Sequence, residues 1–583
     1  MADFEKYYDE ELRYLKEGGE EFAEAFPERA RYLNLNALDD RDPYVERLFE
    51  GFAFLSGRVR QKLDDDFPEF TRNLMEMVDP IFLRPIPSIA MLQIGFSENL
   101  LNRQYVVKRG TLFLSQPVGP SQTLCRFQSS RDVTVRPMTL LAASLIHHTQ
   151  LGDGVEMHFS FDASAEVQHM DMDNVDMQVH GERAFAWWLH GFLTQKVSQV
   201  FLEADGKSIA LGGQECVQPG GFEGEEALLP GNDSSFEGSR FLLEWLCCEE
   251  KFRYINLKGL NRIQNLGKPK KFSLRIHFNE AIPEGRRLRA ENLRLHTTPV
   301  VNLYEARAEP ISLNHKHFEY LAMPDSGPSA EIFEVQDVMG IDKATGKRQT
   351  YHRFHAFRHI AMNAGENMNG GWYQIRTERE GKGGTRTWLS LGREGSVERW
   401  EEEYLSIGIL ATDGNVPREH VLENSLKNPA AGFPTFLHFT NYTRPSVPIA
   451  APRSQHYLWY VLSHLNLGMR SLCEDGILKE ALSLYDWSRS AVNRKMLDGF
   501  TGVESKRRAF LIAGQLAHGT EIKVTLREEA IAEEGERMGF ARVLLHFLTQ
   551  YASINHLVSL TLQLTPSGKT VSLSPLEGRC PSI

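Results

Sequence analysis

Long apolar runs are missing from this 583-residue sequence. No stretch reaches the about 18 consecutive apolar residues that a bilayer requires, so no transmembrane helix is expected. The opening, MADFEKYYDEELRYLKEGGE, has neither a basic leader nor an apolar core, and no secretory signal is expected there. Cysteine is scarce: six residues, at 125, 216, 247, 248, 473 and 580. Only Cys247 and Cys248 lie close, adjacent cysteines seldom pair, and the spacing fits neither a zinc site nor a disulfide framework. Reduced thiols in the cytoplasm follow. Excess positive charge is lacking too. Lys and Arg number 65 against 77 Asp and Glu, a formal charge of −12. The densest basic clusters, Lys268-Pro269-Lys270-Lys271 and Lys506-Arg507-Arg508, are short patches, which argues against nucleic-acid binding.

Catalytic signatures are absent as well. There is no phosphate-binding G-x-x-x-x-G-K-[ST], no G-x-G-x-x-G opening a helix, no G-x-S-x-G elbow and no H-E-x-x-H. The glycines at 370–371, 381 and 383–384 alternate with strand-like WYQIR and TWLSL, so they read as hairpin turns. Asp39-Asp40-Asp42 and Asp64-Asp65-Asp66 lack the alternating acceptors, central glycine and terminal glutamate of a calcium loop, and read as helix starts or solvated faces. One alternative stays open. HRFHAFRH places His352, His355 and His359 at gaps of three and four, and three imidazoles can bind zinc. Its aromatic alternation suits a strand, however, and it offers no carboxylate to orient the rings. A metal- or ligand-binding enzyme built on 351–359 is therefore the alternative reading. No catalytic, cofactor-binding or metal-binding residue is assigned, and no cofactor is expected.

What the sequence does contain is ordinary globular material, 42% hydrophobic and 10% aromatic, long enough for roughly three to four domains. Neither an internal repeat nor a low-complexity tract is present. The expected fold class is α+β multidomain: an N-terminal helical segment, β-rich middle modules and a small C-terminal α+β module. Residues 1–88 read as an acidic helical region. Residues 1–70 alone carry 19 acidic against 10 basic side chains, a balance of −9. Pro80, Pro85 and Pro87 close this region. Short β-prone runs bounded by Gly, Pro, Asn and Asp then fill 89–290 and 291–442, interrupted by amphipathic ERAFAWWLHGFL and SRFLLEWLCC. Pro445, Pro448 and Pro452 mark an extended linker over 443–454. Over 455–583 helices are followed by TEIKVTLREE (strand), GFARVLLHFLTQYASIN (helix), HLVSLTLQL (strand), a PSGK turn and a last strand.

The strongest single pattern is DPYVERLFEGFAFLSGRVRQKLDDDFPEF, residues 42–70. Val45, Leu48, Phe49, Phe52, Leu55, Val59 and Leu63 recur at steps of 3 or 4 or adjacent to such a step, which draws one stripe along a helix. Asp42 supplies an N-cap acceptor and Pro43 sits at the first helical position, where no amide donor is missed. Phe67-Pro68 predicts an end, because the residue before proline is pushed out of the α region. Period alone favours packing of this stripe inside the chain's own core. The alternative is a partner chain, and these seven residues are the candidate partner-binding set.

The wording of the segment favours the alternative. YYDEELRYLKEGGEEFAEAFPERARYL followed by DPYVERLFEGFAFLSGRVRQKLDDDFPEFTRNLMEMVDPIFLRPIPS resembles the N-terminal signature of the TssF family of type VI secretion baseplate proteins. The resemblance continues through FLLEWLCCEEKFRYINLKGL, TPVVNLYEARAEPI, FEYLAMPD, LWYVLSHLNLGMRSL and VLLHFLTQYASINHLVSL, in family order from residue 7 to 560. It implies a structural subunit and no enzyme. Two copies would join one TssG in the core of a baseplate wedge that also carries TssK and TssE, and six wedges would surround the VgrG spike hub. It further implies a cytoplasmic assembly, similar to a contractile phage baseplate, that docks on the inner-membrane complex without inserting into the membrane and supports assembly of tube and sheath. On this reading the helices of residues 5–78 contribute to a bundle shared between chains.

Overall fold

The structure is a computed structural model that describes residues 8–9, 11–15, 43–231, 237–267, 269–314, 316–354, 371–379, 384–392, 402–452, 454–474, 476–512 and 515–579. The chain divides into two compact units, one of residues 1–78 with 453–462 and the other of residues 79–452 with 463–583.

The smaller unit is helical. Its main element is a 36-residue helix, Pro43–Val78. The start agrees with the Asp42-Pro43 signal, but the end does not follow Phe67-Pro68: the helix runs through the proline and on to Val78. Proline inside a helix removes one hydrogen bond and costs about 3 kcal/mol. The ten residues beyond it include Thr71 and Met75, both fully buried, and that burial outweighs a local penalty. Residues 8–9 and 11–15 are also helical, and Ser56 Oγ donates to Glu11 Oε2 at 2.8 Å.

The larger unit opens with a short 3₁₀ turn, Pro80–Leu83, in which the Asp79 carboxylate accepts the Ile81 N–H at 3.2 Å. A six-stranded sheet follows, in the order Leu426–Pro429, Leu112–Val118, Thr123–Ser129, Thr297–Val301, Ile89–Phe96, Leu437–Asn441. Ile89 pairs with Val301 and Phe96 with Leu437, so this sheet draws strands from both sides of residue 290. Its core is built on Leu92, Phe113, Phe127, Val300 and Phe439. The proline-rich stretch 443–454 lies along it: Ile86 and Ile449 exchange two backbone hydrogen bonds, of 2.7 and 2.9 Å. An extended, proline-rich segment can add a bridge to a sheet edge wherever its remaining N–H groups face the right way.

Two further sheets share one core. A five-stranded sheet (Lys207–Gly212, Val197–Ala204, Lys271–Phe278, Gly152–Phe161, Met138–His148) and a four-stranded one (Val217–Gly220, Tyr254–Lys258, Asn174–Val179, Leu293–Leu295) together enclose Met157, Phe159, Met177, Leu202, Ile255 and Ile276. Alternating burial along Gly152–Phe161 is what period 2 demands of a half-covered strand. An eight-stranded sheet, in which Glu403–Thr412 pairs with Glu331–Asp342, packs around Val338, Leu389, Leu405, Ile407 and Ile409. Within it, Gly371–Arg379 and Thr385–Gly392 pair antiparallel, as the glycine-rich stretch suggests.

The C-terminal sheet joins a long hairpin, Phe500–Ile512 with Gln515–Arg527, to a parallel strand, Leu557–Thr565. The crossover between the parallel strands is the helix Glu534–Thr549, as a parallel pairing requires. This helix is also the centre of a three-helix layer with Arg183–Gln195 and Glu237–Cys247. Trp187 and Trp245 stand 5.1 Å apart between ring centroids, with Phe540 6.0 Å from Trp245. Arg183 bridges Glu249 at 2.6 Å and Glu536 at 2.7 Å, and Ser239 Oγ meets Tyr485 OH at 2.8 Å. The architecture is α+β multidomain, with helices that serve more than one sheet.

Candidate interaction surface

The helix Pro43–Val78 has two unlike faces. On one, Ala53 and Gly57 are buried, and Ser56 and Phe49 are half-buried. Small residues there allow another backbone to approach closely. On the other, Leu48, Phe52, Leu55 and Val59 follow at steps of 4, 3 and 4 and are 65%, 61%, 63% and 60% exposed. Tyr44, one further turn toward the N-terminus, is exposed as well. The side chains of Val45 and Leu63 lie outside the described residues. So four of the seven sequence-predicted stripe residues form an exposed apolar strip, and Phe49 turns toward the small-residue face.

A second element of the same unit also carries exposed large apolar side chains. In the helix Gln455–Leu465, Leu458 and Val461 are buried, while Trp459 and Tyr460 remain exposed. Sequence reading missed them as surface residues. The only available signal is the aromatic pair in HYLWYVL, where two large rings stand between residues of a buried stripe. Exposed Trp and Tyr are residue types that binding surfaces use as anchors.

The chemistry considered for an enzyme finds little support. His352 lies on the strand Arg348–Arg353, exposed, with its ring 6.0 Å from Trp372. His355 and His359 lie outside the described residues, as do the side chains of Asp64, Asp65 and Asp66. Among the described residues no group of three His, Cys, Asp or Glu side chains could hold a metal ion. The described cysteines are free. Burial pushes the Cys125 and Cys248 thiols up to about 12, Cys473 to about 11, and Cys247 upward as well, so none is primed as a nucleophile. No described helix is long and apolar enough to cross a membrane.

Several β modules tied together by shared helices, with large apolar side chains left open on a helical unit, define a subunit built to assemble with other chains. Its relatives agree. Residues 1–579 match the family described as "Type VI secretion system, TssF", and the chain belongs to that family. It is 27% identical to "Type VI secretion system component TssF1" of Pseudomonas aeruginosa, over 99% of both chains. A chain in the cryo-electron microscopy structure of the type VI secretion TssK-TssF-TssG baseplate subcomplex is 30% identical, with a TM-score of 0.79 over 91% of this chain and 98% of that one. A chain of the baseplate complex from the type VI secretion system is 25% identical, with a TM-score of 0.61 over 98% of this chain and 99% of that one.

Proposed function

We propose that this chain is a structural subunit of a type VI secretion baseplate, assembling with TssG- and TssK-type partners as its structural relatives do. The observation that carries the reading is the exposed strip Leu48, Phe52, Leu55 and Val59 on a helical unit of a chain similar to TssF over nearly its whole length. Burying one large apolar side chain fully contributes about 1.5–3 kcal/mol, and here that gain is left for a partner. In this proposal the strip enters a helical bundle formed by two copies of the chain and one TssG, the core of a wedge that also contacts TssK and TssE. Wedges of this kind would surround the VgrG spike hub in the cytoplasm, dock at the inner-membrane complex, and support tube and sheath assembly.

The test is the mass, by light scattering on a sizing column, of the species formed when the chain is co-expressed with the TssG encoded beside it. A 2:1 complex is expected, reduced to free chain by the pair Leu48→Asp and Leu55→Asp. A chain that stays single in the presence of TssG overturns the proposal.

A further inference from the structure

The nine strands described between residues 138 and 295 all fall in the five- and four-stranded sheets that share one core. This module therefore leaves the rest of its unit at Arg136 and rejoins it at His296. The two ends meet, with the Arg136 N–H donating to His296 Nε2 at 3.1 Å. Beside this neck lies a cleft of about 430 Å³. Gln93, Phe96 and His438 line it from the six-stranded sheet, and Met138, Leu140 and Arg294 from the inserted module. Gly95 lies directly opposite His438, and a Cβ on it would stand 2.2 Å from Nε2, so the glycine gives that ring its place.

Arg294 is partly buried and held in position. Its Nη1 donates to Gln93 Oε1 at 2.9 Å, and Gln93 Nε2 in turn donates to the Leu295 carbonyl at 3.1 Å. The guanidinium carbon lies 4.5 Å from the centroid of the Tyr442 ring. The remaining edge has no acceptor. Nε is enclosed without a hydrogen-bond partner, and Nη2 donates to nothing among the described residues. Nor does Arg294 form an ion pair among them: Glu291, which lines the same cleft, pairs with Arg289 at 3.2 Å. Nε and Nη2 are the parallel donors that grip both oxygens of one carboxylate. Arg376 uses that same edge on Glu319, at 2.9 and 2.6 Å. A donor enclosed away from water without an acceptor is destabilising, so the edge of Arg294 calls for one.

We propose that this cleft binds a carboxylate carried on an apolar stem, with the carboxylate on the Nε–Nη2 edge of Arg294 and the stem against Phe96, Met138 and Leu140. Clefts between modules that join apolar walls to a few fixed polar groups are where such ligands bind. A glutamate side chain of a partner polypeptide and a free short-chain acid share this chemistry. The site is separate from the helical strip and does not depend on TssG.

The experiment is a saturation-transfer NMR titration of the full chain with the blocked dipeptide N-acetyl-Leu-Glu-amide, against N-acetyl-Leu-Gln-amide as its uncharged control. The acid should bind roughly tenfold more tightly than the control, as loss of a charge-assisted hydrogen bond implies. Arg294→Gln should abolish that preference. So should Thr139→Glu, which sets a carboxylate at an exposed position of the cleft wall. An unchanged thermal midpoint in Thr139→Glu keeps the test decisive even if Arg294→Gln fails to fold. Butyrate is titrated in parallel: binding as tight as the dipeptide's supports the site with a free acid as its ligand, and weaker binding supports it with a polypeptide. Equal binding of acid and control, binding of neither, or a preference that survives both substitutions overturns the proposal.

Discussion

Gly191 and Gly535 touch through their backbones: a Cβ on Gly191 would stand 2.8 Å from both the Cα and the N of Gly535. The two glycines lie on helices more than 340 residues apart in sequence, and their contact lets the crossover helix of the C-terminal sheet lie against the helix Arg183–Gln195. Gly238 plays the same part on the third helix, where a Cβ would meet the His546 carbonyl oxygen at 2.4 Å.

Gly535→Ala is therefore expected to destabilise the protein, because its Cβ would fall 2.1 Å from the Trp187 carbonyl oxygen. Overpacking of this kind costs about 1–3 kcal/mol. Gly51→Ala makes the contrast: that glycine is exposed within a long helix, and nothing lies within 4 Å of its added Cβ. Removing helical glycine gains about 0.5–1 kcal/mol. Chemical denaturation of both variants checks the pair of signs, and equal effects would discount the close helix contact.

Glu244 and Lys251 form an ion pair in which each side chain is 1% exposed. Glu244 also accepts the N–H groups of Leu228 and Leu229 at 2.8 and 3.2 Å, and the Lys251 ammonium lies 4.9 and 5.0 Å from the ring centroids of Phe241 and Phe252. Lys251→Met alone strands a buried carboxylate and should cost about 3–5 kcal/mol. Lys251→Met combined with Glu244→Gln leaves no buried charge and should cost less than the single change. A double-mutant cycle in urea decides this, and a double variant as weak as the sum of the singles would refute it.

Acid should weaken the fold through its buried histidines. Burial holds His464 down to about 4, and burial with Arg136 nearby holds His296 down to about 3. Both rings are neutral in the folded protein, whereas the unfolded chain takes up protons near pH 6.5. Stability is full above about pH 6.5 and falls as the pH drops toward about 4, because the unfolded state then binds more protons. Asp413 and Glu536, raised by burial, work in the opposite sense and offset part of the loss at the acid end. The urea midpoint should be lower at pH 5 than at pH 7.5. His464→Phe should flatten that dependence, at the cost of the 2.8 Å contact with Tyr551. An unchanged slope in this variant would mean that His464 is not the group responsible.

The exposed strip predicts a separation of folding from assembly. Leu48→Asp with Leu55→Asp alters side chains that lie mostly in solvent, so the thermal midpoint should hold within the range of ordinary surface changes, about 0.5 kcal/mol. Loss of the complex with TssG at unchanged midpoint is the expected result. Unfolding of the free chain would place these residues in its own core.

Much of the secondary structure was legible from residue order. ERAFAWWLHGFL predicts the helix Arg183–Gln195, and TEIKVTLREE, GFARVLLHFLTQYASIN and HLVSLTLQL predict the last strand–helix–strand unit, although the helix starts earlier and stops at Thr549. The strand Phe500–Ile512 was not legible. Lys506-Arg507-Arg508 in its middle reads as a surface patch, and only its pairing with Gln515–Arg527 makes it a strand. Likewise Pro68 reads as a stop, and only the burial of Thr71 and Met75 explains a helix that continues past it.

Residue order alone determined the periodic elements, the acidic N-terminal segment, the stripe at 45–63 and the absence of a catalytic motif, since each depends on neighbours within a few positions. The family resemblance was legible there too, because it rests on local wording repeated along the whole chain. Tertiary structure decided what periodicity cannot express. It set the pairing of Ile89 with Val301, the glycine contact between positions 191 and 535, and the exposure of Leu48, Phe52, Leu55 and Val59. A helical stripe states that one face is apolar. Whether that face is covered depends on segments hundreds of residues away, and in this chain it is left open.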